Sequence, residues 1–162
     1  MSNLNKNRME ILKRKARRKG LINELSSLVT VSEESFMDAE TNDLFCKVLF
    51  SKLEKVSDKK NIGDINYKEN RKLSIELLSE LINTINFPVN HGRLFFFTEY
   101  DLEAVKLNID EIFDNLEDLS IKSGFLIGSG DFVLVGDDLE FGVCIDRTEY
   151  YYEFSMWGLT KI

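Results

Sequence analysis

An α+β fold follows from three features of the sequence: apolar residues recur at helical spacing through the first half, the period drops to two after Gly124, and only one proline interrupts 162 residues. The expected architecture is one domain over residues 1–162, with N-terminal helices packed on one side of a C-terminal antiparallel meander sheet of three to five strands. Residues 1–21 are a basic N-terminal helix or arm, residues 22–92 a helical part and residues 93–162 an acidic sheet part. A chain of this length buries roughly two-thirds of its unfolded surface and needs no staple.

From Asn5 to Leu28 the apolar positions Met9, Leu12, Leu21, Ile22, Leu25 and Leu28 predict a helix, kinked or broken near Lys19-Gly20. Thr41 to Val56 predicts the next, capped by Thr41 or Asn42, with Leu44, Phe45, Val48, Leu49, Leu53 and Val56 inward. Ser57–Asp64 reads as a loop. A third helix runs from Lys68 to Ile85 and ends before Phe87-Pro88, because a residue preceding proline is pushed out of the α region.

After a turn at Asn90-His91-Gly92, Leu94–Phe97 is a short buried strand by its aromatic content. Thr98 and Asp101 stand at capping-box spacing ahead of Leu102, Val105 and Leu107, which predicts a helix there, followed by an acidic helical segment around Ile109–Leu116. Beyond Gly124, strands are expected at Phe125–Ile127, Asp131–Val135, Glu140–Ile145 and Tyr150–Trp157, separated by turn formers. In Glu140–Ile145 the alternation is clean, so one face packs and the other is available.

The net charge of −7 conceals a division. Residues 1–21 hold eight basic side chains against Glu10 alone, which leaves 13 basic and 27 acidic residues and a charge of −14 from Ile22 onward. A body of that sign repels nucleic acid and attracts cationic surfaces. No uninterrupted apolar stretch approaches the roughly 20 residues that span a bilayer, and two isolated cysteines suit a reducing cytoplasm, so a cytoplasmic protein without integral membrane association is expected.

Catalytic motifs are missing, and no enzyme is expected. His91 sits in a turn with no evident partner, Cys46 and Cys144 read as core residues, and G-x-S-x-G and phosphate-loop signatures do not occur. Carboxylates do concentrate near the hairpins, at Asp137, Asp138, Glu140, Asp146, Glu149 and Glu153, and a small carboxylate- or metal-dependent enzyme is one alternative they raise. The EF-hand pattern is absent and one histidine excludes the common His-rich zinc sites, so neither metal nor cofactor is expected.

Binding surfaces are better represented. The segment KRKARRK, with Lys13, Arg14, Lys15, Arg17, Arg18 and Lys19, has the composition to grip phosphates, which makes a nucleic-acid-associated regulator a second alternative. Anionic lipid would offer the same phosphates, and the remaining reading is the solvated face of a surface helix, free or folded onto the acidic body of the same or another chain. At the C-terminus, Tyr151 joins Asp137, Asp138, Glu140, Asp146, Glu149 and Glu153 in a surface of tyrosine and carboxylate, and tyrosine is favoured at interfaces for its large rigid area and polar tip.

The tail GDFVLVGDDLEFGVCIDRTEYYYEFSMWG, residues 130–158, resembles the acidic, aromatic-rich sheet ends of small bacterial immunity proteins of polymorphic or contact-dependent toxin systems. That resemblance implies a cognate protein toxin with a basic surface, often a nuclease, blocked by tight one-to-one binding. Charge leads to the same expectation, since residues 99–153 carry 15 acids against Lys106, Lys122 and Arg147 and could fill a cationic cleft.

Overall fold

The computed structural model of the protein describes residues 3–162, so Met1 and Ser2 of the basic arm lie outside the described residues. Helix α1 (Asn3–Leu25) runs unbroken through Gly20, whose Cα has open space around it, and only its C-terminal end, at Leu21 and Leu25, enters the core. A 3-10 turn at Glu33–Ser35 leads to α2 (Ala39–Glu54). Asp38 caps α2 by accepting a hydrogen bond from Thr41 N at 3.0 Å, so the helix starts ahead of the expected Thr41 or Asn42.

The short strand β1 (Lys60–Ile62) follows, then α3 (Tyr67–Leu81), capped by Asn66, and β2 (Ile85–Asn86). Strands β3 (His91–Phe97) and β4 (Leu102–Asn108) form a hairpin. Two short helices, α4 (Ile109–Asp114) and α5 (Leu116–Lys122), lead through a glycine-rich turn to β5 (Phe132–Val135), β6 (Gly142–Arg147) and β7 (Tyr152–Trp157). Strand β8 (Thr160–Lys161) pairs with β2 in a separate two-stranded ribbon.

The main sheet has six antiparallel strands in the order β1-β7-β6-β5-β3-β4. Thus β5-β6-β7 is the expected meander, but β3 and β4 extend it on one side and β1 joins it on the other. The α+β class holds, and the strand count exceeds the expected three to five. The division at residues 92 and 93 falls inside β3, and the N-terminal helical part itself contributes β1.

Strand alternation splits the core between the two sheet faces. On one face Leu94, Phe96, Leu134, Val143, Ile145 and Tyr152 pack with Leu21 and Leu25 of α1, Leu78 and Leu81 of α3, and Ile112 and Leu119. On the other, Phe95, Ala104, Val133, Val135 and Cys144 pack with Cys46, Leu49 and Leu53 of α2. Helices therefore cover both faces, not one, and the face of Cys144 that the alternation left available is covered by α2.

Several local expectations change. Leu44 and Val48 of α2 are 62% and 50% exposed, while Asn42 and Cys46 are buried, so the inward stripe is rotated from the purely apolar one. Leu102–Asn108 is a strand, not a helix. Thr98 and Asp101 do exchange the bonds a cap would make, Asp101 N donating to Thr98 Oγ1 at 3.1 Å, but these close the β3–β4 turn. Phe125–Ile127 belongs to the turn after α5, with Phe125 buried in the core, and His91-Gly92 opens β3.

Candidate partner-binding surface

Three arginines of the basic helix face the chain's own acids. Arg14 Nη2 donates to Glu103 Oε1 at 2.7 Å and to Asp43 Oδ1 at 2.9 Å; Arg17 Nε donates to Asp101 Oδ2 at 2.6 Å; Arg18 Nε donates to Glu103 Oε2. Their spacing of three and four residues along α1 is what lines them up on one side. Glu103 lies on β4 with its side chain 2% exposed, so two guanidiniums converge on a buried carboxylate. Hydrogen bonds from Arg14 hold the carboxyl of Asp43 below its usual range against the opposing effect of burial. Arg17 also stands over the Tyr100 ring and Arg18 over Phe36.

The lysines of the same segment point elsewhere. Lys13, Lys15 and Lys19 are exposed, and Lys13 pairs only with Glu10 of its own helix at 3.8 Å. Of the six residues considered for nucleic acid, three are thus engaged internally by ion pairs and three remain outward.

The seven carboxylate and tyrosine positions considered for a protein partner fall into two groups at opposite ends of β6. At about 3.3 Å per residue, the six residues of this strand separate the ends by roughly 20 Å. Asp137, Asp138 and Glu140 occupy the β5–β6 turn, while Asp146, Glu149, Tyr151 and Glu153 cluster at the β6–β7 end.

In the first group Asp137 is already satisfied: Arg93 Nε donates at 2.7 Å, Lys106 Nζ lies at 3.0 Å and His91 Nε2 at 3.7 Å. Partial burial opposes ionisation there, but the hydrogen bond from Lys106 and the charge of Arg93 prevail and hold the carboxyl below its ordinary value. Asp138 Oδ1 accepts from Glu140 N at 3.1 Å, which fixes the tip. Leu139 beside it has φ of 63°, and its carbonyl accepts from Trp157 Nε1 at 2.9 Å and Lys52 Nζ at 3.0 Å. Glu140 is exposed, so this rigid tip offers Glu140 and the outer edge of Asp138.

The second group is more buried, with only Glu149 of its four positions exposed. Tyr67 from α3 donates its hydroxyl to the carbonyls of Thr148, at 2.7 Å, and Glu149, tying the β6–β7 turn down while Glu149 and Tyr150 remain exposed. Tyr151 is half-buried, and Tyr152 and Phe154 are core residues. Register sets Asp146 directly opposite Glu153, and Glu153 opposite Asn61 of β1. Continuing the β5–β6 register by one residue sets Asp131 beside Asp146, and Asp131 Oδ1 accepts from Arg147 N at 3.1 Å. Asp131 is not among the sequence candidates, because its pairing with Asp146 depends on a hairpin centred on Asp138-Leu139, one residue beyond the expected Gly136–Asp138 turn.

Burial raises the carboxyls of Asp131 and Asp146 above their usual values; charge from Asp146 adds to this at Asp131, and charge from Glu153 adds to it at Asp146. The two thiols are buried as expected: Cys46 is pushed up to about 12 and Cys144 well above the ordinary value, both by desolvation, so neither is a reactive thiolate near neutral pH. Among the described residues no three histidine, cysteine or carboxylate side chains are grouped to hold a metal ion, and no helix is long and apolar enough to cross a membrane.

Fold and surface together define an α+β protein with a sheet covered on both faces, acidic hairpin ends and a basic helix whose three arginines pair with its own body. The chain belongs to the YxiF protein family, whose sequence model matches residues 21–157. No curated protein and no solved structure matches it. The match begins at Leu21, so it takes in Asp43, Asp101 and Glu103 but not the arginines that meet them.

Proposed function

We propose that this YxiF-family protein is an acidic inhibitor that neutralises a cognate protein toxin, of nuclease type, by occluding its cationic surface. The observation that carries this reading is the internal use of the basic helix. With Arg14, Arg17 and Arg18 paired to Asp43, Asp101 and Glu103, half of the phosphate-gripping side chains of KRKARRK are withdrawn, and acids dominate what the sheet ends offer. Glu140, Glu149 and Tyr150 are exposed on turns pinned by Trp157 and Tyr67, so they meet a partner with little ordering cost. A nuclease cleft built to hold phosphates presents the opposite charge.

The protein acts in the cytoplasm on this reading, where Cys46 and Cys144 stay reduced. Co-expression with the product of each gene adjacent to its own tests the proposal, and the absence of any toxic neighbour counts against it. Restored growth and co-purification of the two chains are expected; unrelieved toxicity with both proteins folded rejects it.

A further inference from the structure

The row of acids across the sheet goes further than general charge complementarity. Asp131, just ahead of β5, Asp146 on β6 and Glu153 on β7 stand side by side by register, on the same sheet face as Val133 and Cys144, which pack against α2. Directly opposed side chains in antiparallel strands have Cβ atoms about 5 Å apart, and like charges at that spacing destabilise the sheet. The cation whose charge reaches Asp131 and Asp146 is Lys59, placed beside Ser155 when the β1–β7 register is continued, and it makes no ion pair with any of the three. Arg147 is turned to the opposite face, its guanidinium 4.1 Å from the centre of the Tyr67 ring.

Unused hydrogen-bonding capacity lies at the same place. Ser155 is 1% exposed, stands opposite Cys144 and next to Glu153 on this face, and its Oγ has no partner. Oδ1 of Asp146 is likewise buried and unpartnered. Buried polar atoms left unsatisfied are costly, so a ligand that supplies donors here recovers that cost.

We propose that the Asp131-Asp146-Glu153 row, with Ser155 in its floor, is a receptor for the guanidinium of an arginine presented by the partner protein. A guanidinium is planar, weakly hydrated and carries five donors in a fixed fork, which matches acceptors strung along a row, and these three carboxylates do not form a group that could hold a metal ion. An arginine at this position anchors the toxin against the β6–β7 end of the sheet. The identity of the donor rests on the inhibitor function proposed above, while the receptor itself can be examined alone.

Carboxyl-13C NMR of the intact protein, titrated with Nα-acetyl-arginine methylamide at constant ionic strength, tests the receptor. Saturable shifts at Asp146 and Glu153 are expected, absent with tetramethylammonium and about tenfold weaker in Asp146→Asn, which keeps the shape of the side chain. Equal responses to tetramethylammonium, or an unchanged arginine response in both D146N and E153Q, overturn the proposal. With the toxin-like neighbour in hand, capture that survives D146N and E153Q overturns the receptor and leaves the inhibitor standing; saturable arginine binding with no toxin captured supports the receptor and rejects the inhibitor.

Discussion

Arg14 reaches Glu103 across 89 positions of sequence to make a 2.7 Å ion pair with a carboxylate that is 2% exposed. Arg18 donates to the same carboxylate from the next turn of α1. Helix α1 is thereby fixed by charge through its middle and by Leu21 and Leu25 at its C-terminal end. Removing one partner of a buried pair leaves the other charge uncompensated. Glu103→Ala should therefore lower stability by about 3 kcal/mol. Urea denaturation measures this, and a loss below about 1 kcal/mol would show that the arginines are merely tethered at the surface.

Asn42 of α2 performs the work of a missing strand. Its Nδ2 donates to Leu102 O at 2.8 Å and its Oδ1 accepts from Ala104 N at 3.0 Å, so the side chain pairs with the outer edge of β4, the last strand of the sheet. Asn42→Ala strands the buried Ala104 amide and should cost about 2 kcal/mol in a urea titration. Amide exchange at Ala104 should accelerate; unchanged exchange would mean that this edge is protected by other means.

The carboxylate row has a distinctive pH signature. Because burial raises Asp131 and Asp146 in the folded protein, their ionisation opposes folding: that penalty is absent below the unfolded value near 3.8 and grows as pH rises through the raised folded value. Lys59 faces the row and offsets part of the penalty, while Glu153 adds to it at Asp146. Asp146→Asn should raise the urea midpoint at pH 7 and lose that advantage by pH 3. A variant less stable than the parent at pH 7 would show that the ionised Asp146 is compensated within the fold.

The outward lysines separate the inhibitor from a phosphate-binding function. Deleting the basic arm would confound the two, because it also strips Glu103 of its arginines. The triple substitution Lys13→Ala, Lys15→Ala and Lys19→Ala leaves those pairs intact and should change stability by no more than about 0.5 kcal/mol per site. It should also leave toxin binding unaltered. Salt-sensitive binding of double-stranded DNA by the parent, lost in the triple variant, would favour the nucleic-acid function.

How far the sequence carried the fold can be seen at particular residues. The period-two stretch around Phe141, Val143 and Ile145 located β6, and β5 and β7 beside it, because alternation reports a pleated surface directly. Lys60–Ile62 gave no such signal: three residues are too few for a period, and β1 exists because β7 offers an edge to pair with. Thr98 and Asp101 carry a helix-cap signal in a β turn because a helix cap and a tight β turn use the same side chain to backbone bonds. In α2, buried Asn42 displaced the apolar stripe, since its partner is a strand edge that only the tertiary fold supplies.

The candidate site was legible in composition but not in geometry. Acids at 137–153 were evident, yet their separation into two ends of β6, and the internal use of Asp137 by Arg93 and Lys106, depend on register and on strands β3 and β4. The role of Arg14, Arg17 and Arg18 turned on partners more than 25 residues away. Charge content alone left them equally suited to phosphates.

Calorimetric titration with the purified products of the genes adjacent to this chain's own tests the central claim most directly. The inhibitor account predicts a one-to-one complex whose affinity weakens as ionic strength rises from about 0.05 to 0.5 M, where screening shortens to a few ångströms. No detectable complex at low salt, with both proteins folded, would contradict it.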